Sequence, residues 1–117
     1  MDPSEFKHRT KQFALAIIRL SEKISRSVAG DVMAKQIVRS GTSVGANYRA
    51  ACRAKSTADF INKMKMVEEE CDETLYWLEL LTESHLIIPD DSKRVMREAD
   101  ELLAITVASI RTVRGSQ

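Results

Sequence analysis

Apolar residues recur along the chain at steps of three and four positions, which is the spacing of one face of an α-helix. The pattern fills four segments, and the connections between them are only two to six residues long. Short connections place consecutive helices side by side and antiparallel. We therefore predict an all-α fold: an antiparallel up-down four-helix bundle in a single domain covering residues 1–117, with helices at about 5–28, 32–54, 57–85 and 91–114.

Capping signals mark where these helices begin. Gly30 breaks the first apolar pattern, and Asp31 is predicted to cap the second helix. Ser56, with Asp59 three residues later, resembles a capping box and is predicted to begin the third helix. The last helix is predicted to be capped by one of three residues: Asp90, Asp91 or Ser92.

The stretch from Gln36 to Tyr48 has the apolar spacing of a helix but is built from small residues, including two glycines. Each interior glycine costs a helix roughly 1 kcal/mol relative to alanine. Packing must offset that cost, and small side chains allow a neighbouring backbone to come close. We predict that this stretch forms a tight helix crossing.

Composition narrows the class of protein further. The chain is 44% apolar and 30% charged, as expected for a globular domain, and has only four glycines and two prolines for turns. No apolar run approaches the roughly 20 residues that span a bilayer, and the N-terminus lacks a signal-peptide pattern. We expect a cytoplasmic protein in which Cys52 and Cys71 are reduced thiols buried in the core.

Charge is distributed unevenly. Residues 1–55 carry 11 basic and 4 acidic side chains, a net of +7, whereas residues 56–91 carry 2 basic and 10 acidic, a net of −8. The remaining residues carry 5 basic and 3 acidic side chains, a net of +2. This asymmetry indicates either matched charges within the domain, a polar surface used for assembly, or two solvated helix faces.

Three motifs follow one another in the middle of the chain: R-S-G-T-S-V-G-A-N-Y at Arg39–Tyr48, D-F-I at Asp59–Ile61, and E-x-x-E-T-L-Y-W-L-E-L-L at Glu70–Leu81. With them, roughly residues 10–115 resemble the four-helix-bundle proteins encoded in 23S ribosomal RNA intervening sequences. The resemblance implies a small bundle that associates as a ring-shaped homopentamer. A related branch, the accessory proteins of diversity-generating retroelements, is similar in fold and binds nucleic acid beside a reverse transcriptase.

The motif residues suggest a polar network between the second and third helices. Arg39, Ser43 and Asn47 are spaced four residues apart and share one stripe of helix two. We predict that Arg39 and Asn47 meet Glu70 or Glu73 on helix three, because an arginine can hold a carboxylate with two hydrogen bonds. Such a network fixes the register of the two helices. Two aromatic residues lie off the leucine stripe of helix three and are predicted to lie at a helix or subunit interface: Tyr76 and Trp77.

No catalytic or metal-binding arrangement is evident. A di-metal bundle needs inward-facing Glu-x-x-His pairs on two helices, and the two histidines, His8 and His85, do not supply them. The consecutive acids at residues 68–73 point around the helix in all directions. We therefore expect no enzyme activity, no cofactor and no metal.

Basic residues carry the remaining functional signal. Arg19, Lys23 and Arg26 share a face of helix one, while Arg49 and Arg53 lie one turn apart on helix two, with Lys55 just beyond. In a monomer these six charges are most simply a solvated face, but ring symmetry repeats them and can hold a phosphate backbone. The leading prediction is a non-enzymatic homo-oligomer, pentamer first, that binds structured RNA or an RNA–protein complex. The alternative is a protein–protein scaffold with no nucleic-acid role.

Overall fold

Four helices form the predicted all-α bundle in the computed structural model, which describes residues 1–116. They are α1 (Pro3–Ser21), α2 (Val28–Cys52), α3 (Thr57–Glu83) and α4 (Pro89–Gly115). The bundle measures 48 × 21 × 20 Å. Helix α2 packs between α1 and α3, and α3 also packs on α4. The contact between α4 and α1, which closes the bundle, is the smallest of the four helix–helix contacts. Of these helices, none is long and apolar enough to cross a membrane.

The core lies along the apolar stripes that define the helices in the sequence. Its fully buried large side chains come from all four helices and include Phe13, Ile17, Ile37, Val44, Met64, Val67, Leu78, Leu81 and Leu102. Burying a side chain of this size stabilises a fold by about 1.5–3 kcal/mol. Tertiary packing of one face of each helix therefore holds the bundle together.

The boundary between the first two helices differs from the prediction. Helix α1 ends at Ser21 instead of residue 28, and α2 begins at Val28 instead of residue 32. The cap is Ser27, whose hydroxyl accepts a hydrogen bond from the Gly30 amide at 2.9 Å, so the predicted Asp31 cap is wrong. Ile24 lies in the connection, but its side chain is buried in the core. The apolar pattern therefore extends past the end of the helix. Asp31 lies inside the first turn of α2.

The third helix begins as predicted. The Ser56 hydroxyl accepts from the Asp59 amide at 3.1 Å, and the Asp59 carboxylate accepts in return from the Lys55 amide, also at 3.1 Å. The predicted caps of α4 are wrong. Pro89 occupies its first turn and no side chain caps it, because the fixed φ of proline is already suited to a helix start. This start places Asp90, Asp91 and Ser92 inside the helix.

The small-residue stretch forms the predicted tight crossing, and it serves two neighbours. Its glycines face α1, where a β carbon on Gly41 would lie 2.8 Å from the Ile17 side chain. Ser40 faces α3, where its hydroxyl accepts a hydrogen bond from Thr74 at 2.9 Å. Helix α2 is therefore the central element against which α1 and α3 are placed.

Only one of the two cysteines is a core thiol. Cys71 is fully buried, and burial raises its pKa to about 12. Cys52 is exposed at the last residue of α2, so its predicted burial is wrong. Its apolar neighbour Ala51 faces the core instead, one position away on the helix.

Candidate functional site

A basic groove runs along the outside of the α1–α2 pair, with a volume of about 690 Å³. It is lined by Lys7, His8, Thr10, Lys11, Ala14, Thr42, Gly45, Ala46, Arg49 and Arg53. The antiparallel pairing creates it, because the start of α1 lies beside the end of α2. The Phe6 and Tyr48 rings mark this level, with centroids 4.5 Å apart in an edge-to-face arrangement.

The cations of this groove have no acidic partner. Within the described part of the chain, Lys7, Lys11, Arg49 and Arg53 form no salt bridge, and no Asp or Glu lines the groove. Lys7 and Lys11 are four residues apart on one face of α1, and Arg49 and Arg53 are four residues apart at the end of α2, where Arg53 is the C-cap residue. Two pairs of positively charged side chains without acidic partners therefore flank the basic groove.

The floor of the groove is small and neutral. Gly45 and Ala46 contribute little side-chain volume, and the hydroxyls of Thr10 and Thr42 donate to backbone carbonyls of their own helices, at 3.1 and 2.7 Å. The groove therefore offers positive charge above a narrow floor. This arrangement can hold an extended anion, but it presents no nucleophile paired with a base.

The predicted basic residues do not form one surface. Arg49 and Arg53 line the basic groove, whereas Arg19 lines a different groove between α1 and α4. Lys23 and Arg26 lie in the connection after α1, so their predicted place on a face of helix one is wrong. Lys23 pairs with Asp91 at 3.3 Å and Arg26 with Asp31 at 2.7 Å. Lys55 is exposed in the connection that follows α2.

The residues that sequence reasoning missed are Lys7, His8 and Lys11. They complete the groove from the α1 side. The four-residue spacing of Lys7 and Lys11 was visible in the sequence, as was the antiparallel pairing of the first two helices. Combining the two signals places the beginning of helix one beside Arg49 and Arg53.

The second groove, between α1 and α4, has a volume of about 530 Å³. An ion-pair cluster crosses it: the Arg9 guanidinium donates to Glu98 at 2.7 and 2.8 Å and to Glu101 at 2.7 Å. This arginine lowers the pKa of the Glu98 carboxyl below its ordinary value. Three further arginines line the groove and form no salt bridge with any residue in positions 1–116: Arg19, Arg94 and Arg97.

Part of the predicted polar network is brought together between α2 and α3. The Arg39 guanidinium donates to both Glu70, at 3.2 Å, and Glu73, and it lowers the pKa of the Glu73 carboxyl. The network lies at the surface, since the Arg39 side chain is 47% exposed. Ser43 instead donates to the Arg39 carbonyl at 2.6 Å, and Asn47 makes no side-chain hydrogen bond within the described residues.

The two aromatic residues of α3 lie at the edge of this network. Trp77 is half-buried and its indole N–H donates to Glu73 at 3.4 Å. Tyr76 is 54% exposed, and its ring meets Trp77 edge-on with centroids 5.3 Å apart. A large aromatic side chain is thus held at the surface of α3.

Nothing in residues 1–116 gathers three or more His, Cys, Asp or Glu side chains in a group that could hold a metal ion. In the same part of the chain, no buried side-chain nitrogen or oxygen lacks a hydrogen-bond partner.

Comparisons with known proteins agree with this architecture. A family model described as "23S rRNA-intervening sequence protein" matches residues 4–108. A crystal structure from Bacteroides thetaiotaomicron, described as a protein of unknown function from the S23 ribosomal protein family, is 37% identical. The superposition has a TM-score of 0.87 and covers 95% of this chain and 99% of that one. Among curated proteins, none matches the sequence.

Proposed function

The chain belongs to the family of 23S rRNA-intervening sequence proteins, and from this premise we propose that it is a non-enzymatic binding module that self-associates and holds structured RNA. The basic groove between α1 and α2 is the proposed RNA site. Self-association, with a pentamer as the first expectation, repeats the groove around a ring. With RNA as its partner, the protein acts in the cytoplasm.

The observation that carries the proposal is the unneutralised charge of the groove. The chain's net charge is only +1, and the groove between α1 and α4 sets Glu98 and Glu101 among its arginines, whereas this groove has no acidic lining residue. Four Lys and Arg side chains without acidic partners, gathered from two helices, create a local positive potential that the overall composition hides. Binding a polyanion releases its condensed counterions, which makes such a patch an effective phosphate-binding surface.

The groove favours contacts to the phosphate backbone. Its lining has no Phe, Tyr or Trp on which bases could stack, and its floor hydroxyls are already bonded to the backbone. Phosphate contacts position a nucleic acid without reading its sequence. We therefore expect binding that is weakly sequence-specific and strongly salt-dependent.

The test is a titration of a fluorescently labelled hairpin RNA with the purified protein over a series of salt concentrations. If four cations per protomer neutralise phosphates, the logarithm of the binding constant falls against that of the salt concentration with a slope of about −3 to −4. The double variant Arg49→Ala/Arg53→Ala is expected to weaken binding and to reduce the steepness of that slope by about 1.5.

A matched control removes the same charge from another place. The double variant Lys23→Ala/Arg26→Ala takes away two cations that are already paired with Asp91 and Asp31, so we expect a smaller loss of affinity. Equal losses from both double variants would assign binding to the overall charge instead of the groove. If the parent protein fails to bind RNA even at low salt, the scaffold alternative replaces the RNA proposal.

A further inference from the structure

The α1–α4 groove has the features of an unoccupied protein-binding surface. Its rim carries Arg19, Arg94 and Arg97, which have no ion-pair partner in the described chain, while Arg9 neutralises the two acids of the groove, Glu98 and Glu101. Between the rims lie the small side chain of Ala16 and the aliphatic side chain of Val95. Gln12 lies among the lining residues too, so the floor is only partly apolar, and such a floor with a cationic rim suits the amphipathic ring of a tyrosine flanked by carboxylates.

The same chain displays such a group on α3. Tyr76 is 54% exposed, and it has Asp72 one turn before it and Glu79 one turn after it on the same helix face. Neither acid forms a salt bridge within residues 1–116, and both are exposed. We call these three residues the Tyr76 strip. Exposed aromatic residues ringed by charges are typical anchors of protein interfaces.

The Tyr76 strip and the groove lie on different faces of the bundle. Arg39 marks the side of α3 that faces α2, where it reaches Glu70 and Glu73. At 3.6 residues per turn, Tyr76 points away from the buried stripe of α3, and its ring meets Trp77. The strip therefore lies on the outer face of α3, whereas the groove lies between α1 and α4. Because one copy cannot fill its own groove, these two surfaces can meet only between copies.

The surfaces also lie at the same height along the bundle. The hydroxyls of Thr82 on α3 and Ser92 on α4 are 3.1 Å apart, which sets the register of these helices. Tyr76 comes six residues before Thr82, and Arg97 comes five residues after Ser92 on the antiparallel helix. At 1.5 Å per residue, the two positions differ in height by about 2 Å. In copies packed side by side with parallel axes, the strip and the groove would thus meet at one level, and such a head-to-tail contact forms a ring where its rotation closes.

We propose that the Tyr76 strip of one copy docks into the α1–α4 groove of a second copy, with the Tyr76 ring against Ala16 and Val95 and with Asp72 and Glu79 against the arginine rim. This inference rests on the self-association part of the proposed function and specifies its interface. It leaves the basic groove between α1 and α2 outside the contact. The contact is head-to-tail, so each copy uses both surfaces.

This interface can be tested with charge-reversal variants whose molar mass in solution is measured by light scattering. Reversing the rim, with Arg94→Glu/Arg97→Glu, or the strip, with Asp72→Lys/Glu79→Lys, should reduce the parent assembly to the 13.2 kDa monomer. Placing both reversals in one chain restores opposite charges across the contact and should restore assembly. The control Arg111→Glu/Arg114→Glu reverses two exposed arginines of α4 outside both grooves and should leave the mass unchanged.

Circular dichroism of each variant shows whether it is folded, and Tyr76→Ser, which changes no charge, should also lower the mass. The inference is overturned if reversing the rim alone or the strip alone leaves assembly like that of the parent. It is also overturned if the folded variant that carries both reversals fails to assemble, or if the parent is a monomer. RNA titration of the same samples separates this result from the RNA proposal. A monomeric protein that binds RNA overturns the interface and self-association but leaves the RNA site standing, whereas an assembling protein without RNA affinity overturns only the RNA site.

Discussion

Gly41 of α2 faces Ile17 of α1 so closely that a β carbon on residue 41 would lie 2.8 Å from the Ile17 side chain. Real β carbons do not approach neighbours this closely, so the contact depends on glycine. Ile17 is fully buried and cannot move into solvent to make room. The separation of the first two helices is therefore set by this pair, and the width of the basic groove above it depends on the same separation.

We expect the substitution Gly41→Ala to destabilise the protein by about 1 kcal/mol in chemical denaturation. Overpacking a core costs about 1–3 kcal/mol, and the better helix propensity of alanine returns about 1 kcal/mol. At Gly45 the added carbon would lie 3.1 Å from the Thr10 hydroxyl, a milder approach, so Gly45→Ala should be closer to neutral. Equal stability of the parent and Gly41→Ala would show that the helices can separate without cost.

The fold could be predicted because most apolar residues recur at helical spacing and are buried in the bundle. On α3 the stripe from Ile61 to Leu81 is both helical and buried, so periodicity gives the correct element and face. The first helix end was missed because Ile24 keeps the periodic spacing although it is buried from a connection. The periodic spacing of apolar residues indicates which side chains are buried, and a residue in a connection can be buried as well. The Ser27 hydroxyl, a local capping signal, decides the boundary instead.

The site was harder to predict because it joins two helices. Sequence spacing shows which residues share a face of one helix, so the pair Arg49 and Arg53 was found. It does not show which positions on α1 lie opposite, which depends on the height at which the helices cross. That height is set by close packing, such as Thr10 beneath Gly45. The same limitation left Asn47 in the predicted polar network, although of its three predicted members on α2 only Arg39 hydrogen-bonds to α3 within the described residues.

The Arg39 network is expected to contribute little to stability despite its geometry. Because the Arg39 side chain is 47% exposed, water and salt screen its ion pairs with Glu70 and Glu73. We expect Arg39→Leu to lower the free energy of unfolding by less than about 1 kcal/mol. A double-mutant cycle with Glu73→Gln, measured by chemical denaturation at low and high salt, isolates the pair. A salt-independent coupling well above that range would indicate a desolvated, register-setting role.

The end of α3 contains a residue in an unfavourable backbone conformation. His85 has a φ of 62°, in the left-handed region that favours glycine. The amides of His85 and Leu86 donate to the Thr82 and Leu81 carbonyls at 3.1 and 3.0 Å, which completes a Schellman cap. We expect His85→Gly to raise the free energy of unfolding by about 0.5–1 kcal/mol. His85→Ala keeps the strain and serves as the control, so a gain from alanine would refute the backbone explanation.

The loss of stability at low pH should come in part from the contact between α1 and α4. Arg9 lowers the pKa of Glu98 in the folded protein below the ordinary 4.5, so the unfolded chain binds more protons over this range. The resulting stabilisation is complete above the unfolded pKa and is lost as the pH falls through the folded one. We expect Glu98→Gln to cost about 1–2 kcal/mol near pH 7 and much less near pH 3, measured by chemical denaturation.

Glu101 provides the matched control for this contact, because it accepts from the same arginine but is 63% exposed, compared with 28% for Glu98. Screening by solvent should make the effect of Glu101→Gln smaller at every pH. The informative quantity is the difference in pH dependence between parent and variant, since the other carboxylates titrate equally in both. If Glu98→Gln loses stability towards low pH as steeply as the parent, the Arg9–Glu98 pair does not hold α1 to α4. The closure of the bundle would then depend on its apolar contacts and the exposed pairs Arg9–Glu101 and Lys23–Asp91.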